Sequence, residues 1–140
     1  MKKAFTLIEV LVVVTIISIL ASIAAVSYSS SLKQSRDARR KTDLEQIRAA
    51  VEMYKSYNNV YPGTITFGAA LTDPSPGTTI YLSKVPKDPK DPNTSYYYNS
   101  PGPTNQDYEV CAFLELGGTD AGVSCGASNC NYCLGPYGEK

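Results

Sequence analysis

The sequence predicts an α+β fold in which one long amino-terminal helix packs its second half on a small antiparallel β-sheet head. Three observations predict it. Residues 5–26 are apolar apart from a few hydroxyls and one carboxylate, Glu9. Residues 5–59 contain neither Gly nor Pro, so nothing local interrupts a helix there. From Tyr61 onward the composition turns to Pro, Gly, Thr, Asp and Tyr with short apolar runs, which suits strands joined by turns.

Taken in order, residues 5–26 as a helix at about 1.5 Å per residue reach roughly 33 Å, enough to cross a hydrocarbon core of about 30 Å. Glu9 then lies inside the bilayer. A charged carboxylate costs a few kcal/mol there unless it is neutralised or paired, so it marks a functional position that needs a partner. Two plainer readings compete with a functional helix. One is a secretory signal peptide cut at the small-x-small site Ser22-Ile23-Ala24, and the other is an uncut membrane anchor. Glu9 counts against the first, because a segment that is only threaded and discarded has no use for an acid.

The run Lys2-Lys3-Ala4-Phe5-Thr6-Leu7-Ile8-Glu9 resembles the cleavage and assembly motif of type IV pilins and type II secretion pseudopilins: basic residues, a small residue, an aromatic start to the mature chain, and Glu as its fifth residue. The resemblance implies that a prepilin peptidase cuts between Ala4 and Phe5 and that the new amino group of Phe5 is N-methylated. Residues 1–4 are then a leader peptide, and residues 5–27 a transmembrane segment that becomes the filament core. It further implies that Glu9 pairs with the terminal amine of a neighbouring subunit in a homo-oligomeric filament. The cytoplasmic membrane, an inner-membrane assembly platform and an assembly ATPase are implied partners. The sequence departs from the family at Ala4, where Gly is usual. It also lacks Gly and Pro over residues 10–26, leaving Ser18, Ser22 and Ser27 as the weak points of the helix. The positive-inside count, five basic residues at 33–41 against Lys2 and Lys3, would place the long part in the cytoplasm. The cysteines and the resemblance place residues 28–140 outside instead.

Residues 28–58 form an amphipathic helical arm. Leu44, Ile47, Val51 and Tyr54 recur 3, 4 and 3 apart with polar residues between them, a stripe that belongs to a core. Tyr57-Asn58-Asn59 followed by Tyr61-Pro62-Gly63 ends the helix. The basic residues at 33–41 read as solvated helix surface. A DNA-uptake subunit that contacts phosphates through them is an alternative, which makes nucleic acid a further candidate partner.

Residues 59–140 form the β-rich head. Residues 71–77 read as a loop, and Pro86-Lys87-Asp88-Pro89-Lys90-Asp91-Pro92 as a charged surface turn, since such a stretch cannot be helix or central strand. Tyr96-Tyr97-Tyr98 and residues 107–116 read as strands joined through residues 100–106. The Val-Pro-x-Asp-Pro turn from Val85 and the tyrosine-rich strand also resemble pseudopilins. Heads of that family often carry a calcium loop near the end, but between Gly117 and Gly138 the only acid is Asp120. Asp120 is therefore a weak calcium candidate, because calcium takes six to eight oxygens.

Four cysteines, Cys111, Cys125, Cys130 and Cys133, fall within the last 30 residues of the 140-residue chain, as disulfides in an exported domain would. They permit three pairings, among which the sequence does not choose. The alternatives for them are a thiolate metal site and a membrane-anchored thiol oxidoreductase using Cys130 and Cys133. The chain contains no histidine, which removes the Ser-His-Asp and Cys-His constellations. Basic and acidic residues balance at 13 each, with the excess positive charge in residues 28–58 and the excess negative charge in the head. The sequence thus points to a structural subunit of a type IV pilus-like filament without enzymatic activity or cofactor. A type II secretion pseudopilin is the nearest alternative.

Overall fold

The computed structural model describes residues 5–74, 79–101 and 106–140, and the chain divides into two units, residues up to Ser35 and Arg36–Lys140. One helix, α1, runs Leu7–Asn58. It starts two residues later than the composition suggests because Thr6 is its cap rather than its first turn. It ends at Asn59, which adopts a left-handed conformation at φ 61 while its amide donates to the Lys55 carbonyl at 2.7 Å.

In the first unit the side chains from Phe5 to Ile23 are exposed, including Leu7 at 82 % and Ile8 at 68 %. By length and composition this part of α1 is of membrane-spanning type. Three hydroxyls along it are satisfied by the helix itself: Thr15, Ser18 and Ser22 donate to the carbonyls of Val12, Val14 and Ser18, each at 2.8 Å. Such back-bonding removes the cost of placing a free hydroxyl in hydrocarbon.

In the second unit the remaining part of α1 meets two small sheets. The strands are β1 (Leu71–Thr72), β2 (Ile80–Leu82), β3 (Tyr97–Asn99), β4 (Glu109–Ala112), β5 (Tyr132–Gly135) and β6 (Gly138–Glu139). β1 pairs with β2, and β3-β4-β5-β6 form an antiparallel meander. Leu44, Ile47, Val51 and Tyr54 are buried as the stripe predicts, against Tyr61, Val85, Tyr96, Tyr108, Val110 and Leu134. Burying an aliphatic side chain of this size contributes about 1.5–3 kcal/mol. Three of the core tyrosines have partners for their polar ends: Tyr96 donates to Asp43 at 2.7 Å, Tyr98 to the Pro62 carbonyl at 2.7 Å and Tyr61 to Glu52 at 3.0 Å, whereas the buried Tyr108 hydroxyl has no hydrogen-bond partner among the described residues. Burial, reinforced by Glu52, pushes the Tyr61 phenol up to about 12.

The structure corrects three expectations. The first two residues of the 71–77 stretch are strand rather than loop, held by the Leu71–Leu82 pairing. The strand read over residues 107–116 stops at Ala112. Beyond it the backbone bonds side chains instead of a neighbouring strand: Leu114 N–H donates to Asn131 Oδ1 at 2.6 Å, and the amides of Glu115 and Leu116 donate to Asp37, each at 2.9 Å. The charged turn at 86–92 is not all surface, because Asp88 is buried. Most of the connection read over residues 100–106 lies outside the described residues, but antiparallel pairing of Tyr97 with Cys111 and Asn99 with Glu109 fits a hairpin.

Candidate functional site

Glu9 has a partner within its own chain. Thr6 precedes the first helical residue, and its N–H and Oγ1 both donate to Glu9 Oε2, at 2.8 and 2.7 Å. The Glu9 amide donates back to Thr6 Oγ1 at 3.3 Å. This is a reciprocal capping box, in which a Thr and a Glu three residues later satisfy the free amides of a helix start. Thr6-Leu7-Ile8-Glu9 carries that signature in the sequence, and the reading of Glu9 as an acid awaiting another subunit missed it. The carboxylate is thus held at the helix end while it remains accessible, beside Phe5, which is 86 % exposed. Ala4, the other half of the predicted cleavage site, lies outside the described residues.

The second feature sits where the head unit begins. Arg40, fully buried, grips Asp88 with two hydrogen bonds, Nε to Oδ2 at 2.7 Å and Nη2 to Oδ1 at 3.1 Å. Its Nη1 serves Asp37 at 2.8 Å and Glu115 at 3.1 Å. Arg36 forks onto Glu115 at 2.6 and 2.8 Å, and Lys90 adds a contact to Glu115 at 3.0 Å. Thr94 Oγ1 and the Lys90 amide complete the shell of Asp88, at 2.6 and 2.8 Å. Three cations and three carboxylates therefore neutralise one another, tying α1 to the 86–92 turn and to the chain after β4. Arg36 holds the Glu115 carboxyl well below the usual range against opposing burial, with Lys90 and Arg40 adding to the effect. Burial alone would raise Asp88, but Arg40, Thr94 and the Lys90 amide bring it below its ordinary value. Burial works against the Arg40 charge as well, and the bonds to Asp88 and Glu115 outweigh it, so its pKa rises.

This network corrects the reading of residues 33–41 as plain solvated surface. Arg36 and Arg40 are turned into the head, Arg39 lies 3.9 Å from Asp43, and Lys41 Nζ stands 5.0 Å above the Tyr132 ring. Phosphate contact through this run would have to compete with those partners.

The depressed carboxylates give the head an acid-sensitive stability. In the unfolded chain Asp and Glu titrate near 3.9 and 4.3. Below those values the unfolded state binds protons that the folded network refuses. The contribution of Glu115 and Asp88 is therefore complete above about pH 5, begins to be lost as pH falls below about 4, and goes on being lost toward their depressed folded values, at up to about 1.4 kcal/mol per pH unit for each group. Thermal melts between pH 6 and pH 3 should show a falling midpoint, and replacing Glu115 by Gln should flatten that fall. A parent midpoint that does not change with pH would contradict the assignment.

The cysteines pair as Cys111–Cys133 and Cys125–Cys130. Cys111 and Cys133 are direct register partners across β4 and β5, with Cα atoms 4.1 Å apart. Cys130 and Cys133 belong to different disulfides, so they do not form the Cys-x-x-Cys couple that thiol exchange requires. Glu109 Oε1 lies 3.3 Å from Cys111 Sγ, but both sulfurs of that group are in the disulfide and are not free to bind a metal. Asp120 is exposed, and its two oxygens accept the Gly122 amide at 2.8 Å and the Asn129 side-chain amide at 2.9 Å. Calcium does not fit there, since one carboxylate already engaged by two donors supplies neither the oxygens nor the charge.

The family described as "Type II secretion system (T2SS), protein G" matches residues 27–125, and the one described as "Prokaryotic N-terminal methylation motif" matches residues 1–25. The chain is 34% identical to the type II secretion system core protein G of Vibrio cholerae serotype O1, over 91% of this chain and 92% of that protein. It is 36% identical to the protein of that name from Pseudomonas aeruginosa, over 72% of this chain and 75% of that one, and 31% identical to the one from Aeromonas hydrophila over the same shares. No solved structure matches the chain.

Proposed function

This chain belongs to the type II secretion system protein G family, and on that premise we propose that it is a pseudopilin, the structural subunit of a secretion-type filament. Family membership favours this reading over the type IV pilus suggested by the sequence, because the relatives carry the name of a secretion protein. The subunit is made as a precursor held in the cytoplasmic membrane by α1, with residues 28–140 on the outer side. A prepilin peptidase trims it between Ala4 and Phe5, Phe5 is methylated, and an assembly platform and ATPase drive polymerisation. Its work is mechanical rather than catalytic.

The observation that carries this reading is the first unit of α1. Its apolar side chains are covered by nothing among the described residues, and its capped end presents one carboxylate. Such a surface is stable only in lipid or against other copies of itself. Passing from one to the other is what polymerisation of this chain requires.

Mass spectrometry of the mature chain tests it, with an N-methylated Phe5 as the expected amino terminus. A chain beginning at residue 25 or 26 would mean a discarded signal peptide. A strain lacking the gene separates the two kinds of filament: loss of protein export with surface pili retained supports the pseudopilin, and the reverse restores the pilus.

A further inference from the structure

The 117–131 loop offers few groups to a cation. Asp120 is its only acid. Several carbonyls that could face an ion are committed elsewhere: Val123 O accepts the Cys130 amide at 2.8 Å, Cys130 O the Ala121 amide at 2.8 Å, Ser128 O the Cys125 amide at 2.8 Å, and Cys125 O the Ser95 amide at 3.0 Å. The last of these leaves the loop and reaches the turn that follows Asp88. A second bond joins the same two segments, from the Ala127 amide to Asn93 O at 3.0 Å, and Thr94 bridges to Gly126. Gly126 lies so close that a Cβ there would stand 2.9 Å from Asn93 O and 3.2 Å from Thr94 Cα, and its φ of +84 disfavours any other residue. Thr94 in turn donates to Asp88, which Arg40 holds.

The tip that makes these contacts is residues 125–130, closed by the Cys125–Cys130 disulfide across a sequence separation of 5. We propose that this disulfide, and not a bound divalent cation, locks the loop onto the 93–95 turn and through it onto the Arg40 network. The head then depends on oxidation and is indifferent to calcium. Closure takes one electron and one proton from each thiol and passes them to the disulfide of a thiol oxidant, which is left as a dithiol. The second disulfide is placed differently: Cys111 and Cys133 are joined within the β4–β5 ladder, whose backbone pairing already holds them in register. Opening it leaves the tip closed.

Hydrogen exchange on the full chain in detergent micelles reads the contact at the Ser95 and Ala127 amides. The C125S/C130S variant should exchange about tenfold or more faster at both, whereas C111S/C133S should leave both within about twofold of the parent. Calcium at about 5 mM, above the range in which extracellular modules bind it, should change neither the parent nor Asp120→Asn, and a chelator should have no effect on either. Unchanged exchange in C125S/C130S would overturn the proposal, as would calcium protection of those amides in the parent that Asp120→Asn abolishes. If C125S/C130S fails to fold, failure of calcium to restore it supports the clamp, and restoration by calcium refutes it. Filament formation plays no part in this contact, so its failure would leave the pseudopilin reading standing.

Discussion

Replacing Arg40 with alanine is expected to lower the melting midpoint of the head by about 12–40 °C. The guanidinium is fully buried, and three carboxylates, on Asp37, Asp88 and Glu115, are arranged around it. Removing one member of a buried ion group typically costs about 3–5 kcal/mol, because the remaining charges are left uncompensated in low dielectric. For a unit of about this size each kcal/mol moves the midpoint by roughly 4–8 °C. Lysine would not rescue the site, since a single ammonium cannot fork onto Asp88 while also serving Asp37 and Glu115. Arg40→Met combined with Asp88→Leu should recover part of the loss, because the pair is then removed together and not broken. Thermal melts of the full chain in micelles would decide, and a midpoint within about 5 °C of the parent for Arg40→Ala would refute the role given to the network.

Glu9→Ala should leave an inserted, folded subunit and abolish filaments. The capping box complicates that experiment, because alanine removes two functions together. Loss of the cap costs about 0.5–2 kcal/mol of helix stability. Loss of one partner from a buried charge pair between subunits costs about 3–5 kcal/mol, a roughly hundred- to several-thousandfold drop in the assembly equilibrium. Two further variants separate the effects. Glu9→Gln keeps a side chain that can cap through its amide oxygen but carries no charge, and it should fail to assemble. Thr6→Val removes the hydroxyl that donates to Glu9 but keeps the charge, and it should still form filaments, at lower yield. Filament mass in a sedimentation assay measures all three. Normal yield from Glu9→Gln would show that capping, and not charge, is what the acid supplies.

Most of the helix was legible in the chain, because amphipathic spacing follows from local backbone geometry. The stripe Leu44, Ile47, Val51, Tyr54 could be read with no knowledge of what it packs against. The start of α1 was legible too, through the Thr-x-x-Glu pattern at Thr6 and Glu9, although the apolar run beside it drew attention away. Arg40 was not. On the helix it looks like any other solvated cation in a basic run, and its partners Asp88 and Glu115 lie 48 and 75 residues further along the chain. The end of β4 at Ala112 was hidden for the same reason, since the amides that leave the ladder are taken by Asp37, 78 and 79 residues away.

The sequence by itself determined the membrane-type segment, the carboxylate within it, the core stripe of the arm, the absence of histidine chemistry and the scarcity of calcium ligands. All of these depend on residue type and on spacing within a few turns. Only the tertiary structure decided the disulfide pairing and the burial of Arg40 and Asp88. Four cysteines allow three pairings until strand register sets Cys111 opposite Cys133, and a charge is buried or solvated according to which distant charges the fold delivers to it. Register and long-range approach follow from packing the whole head at once, which no local stretch of the chain encodes.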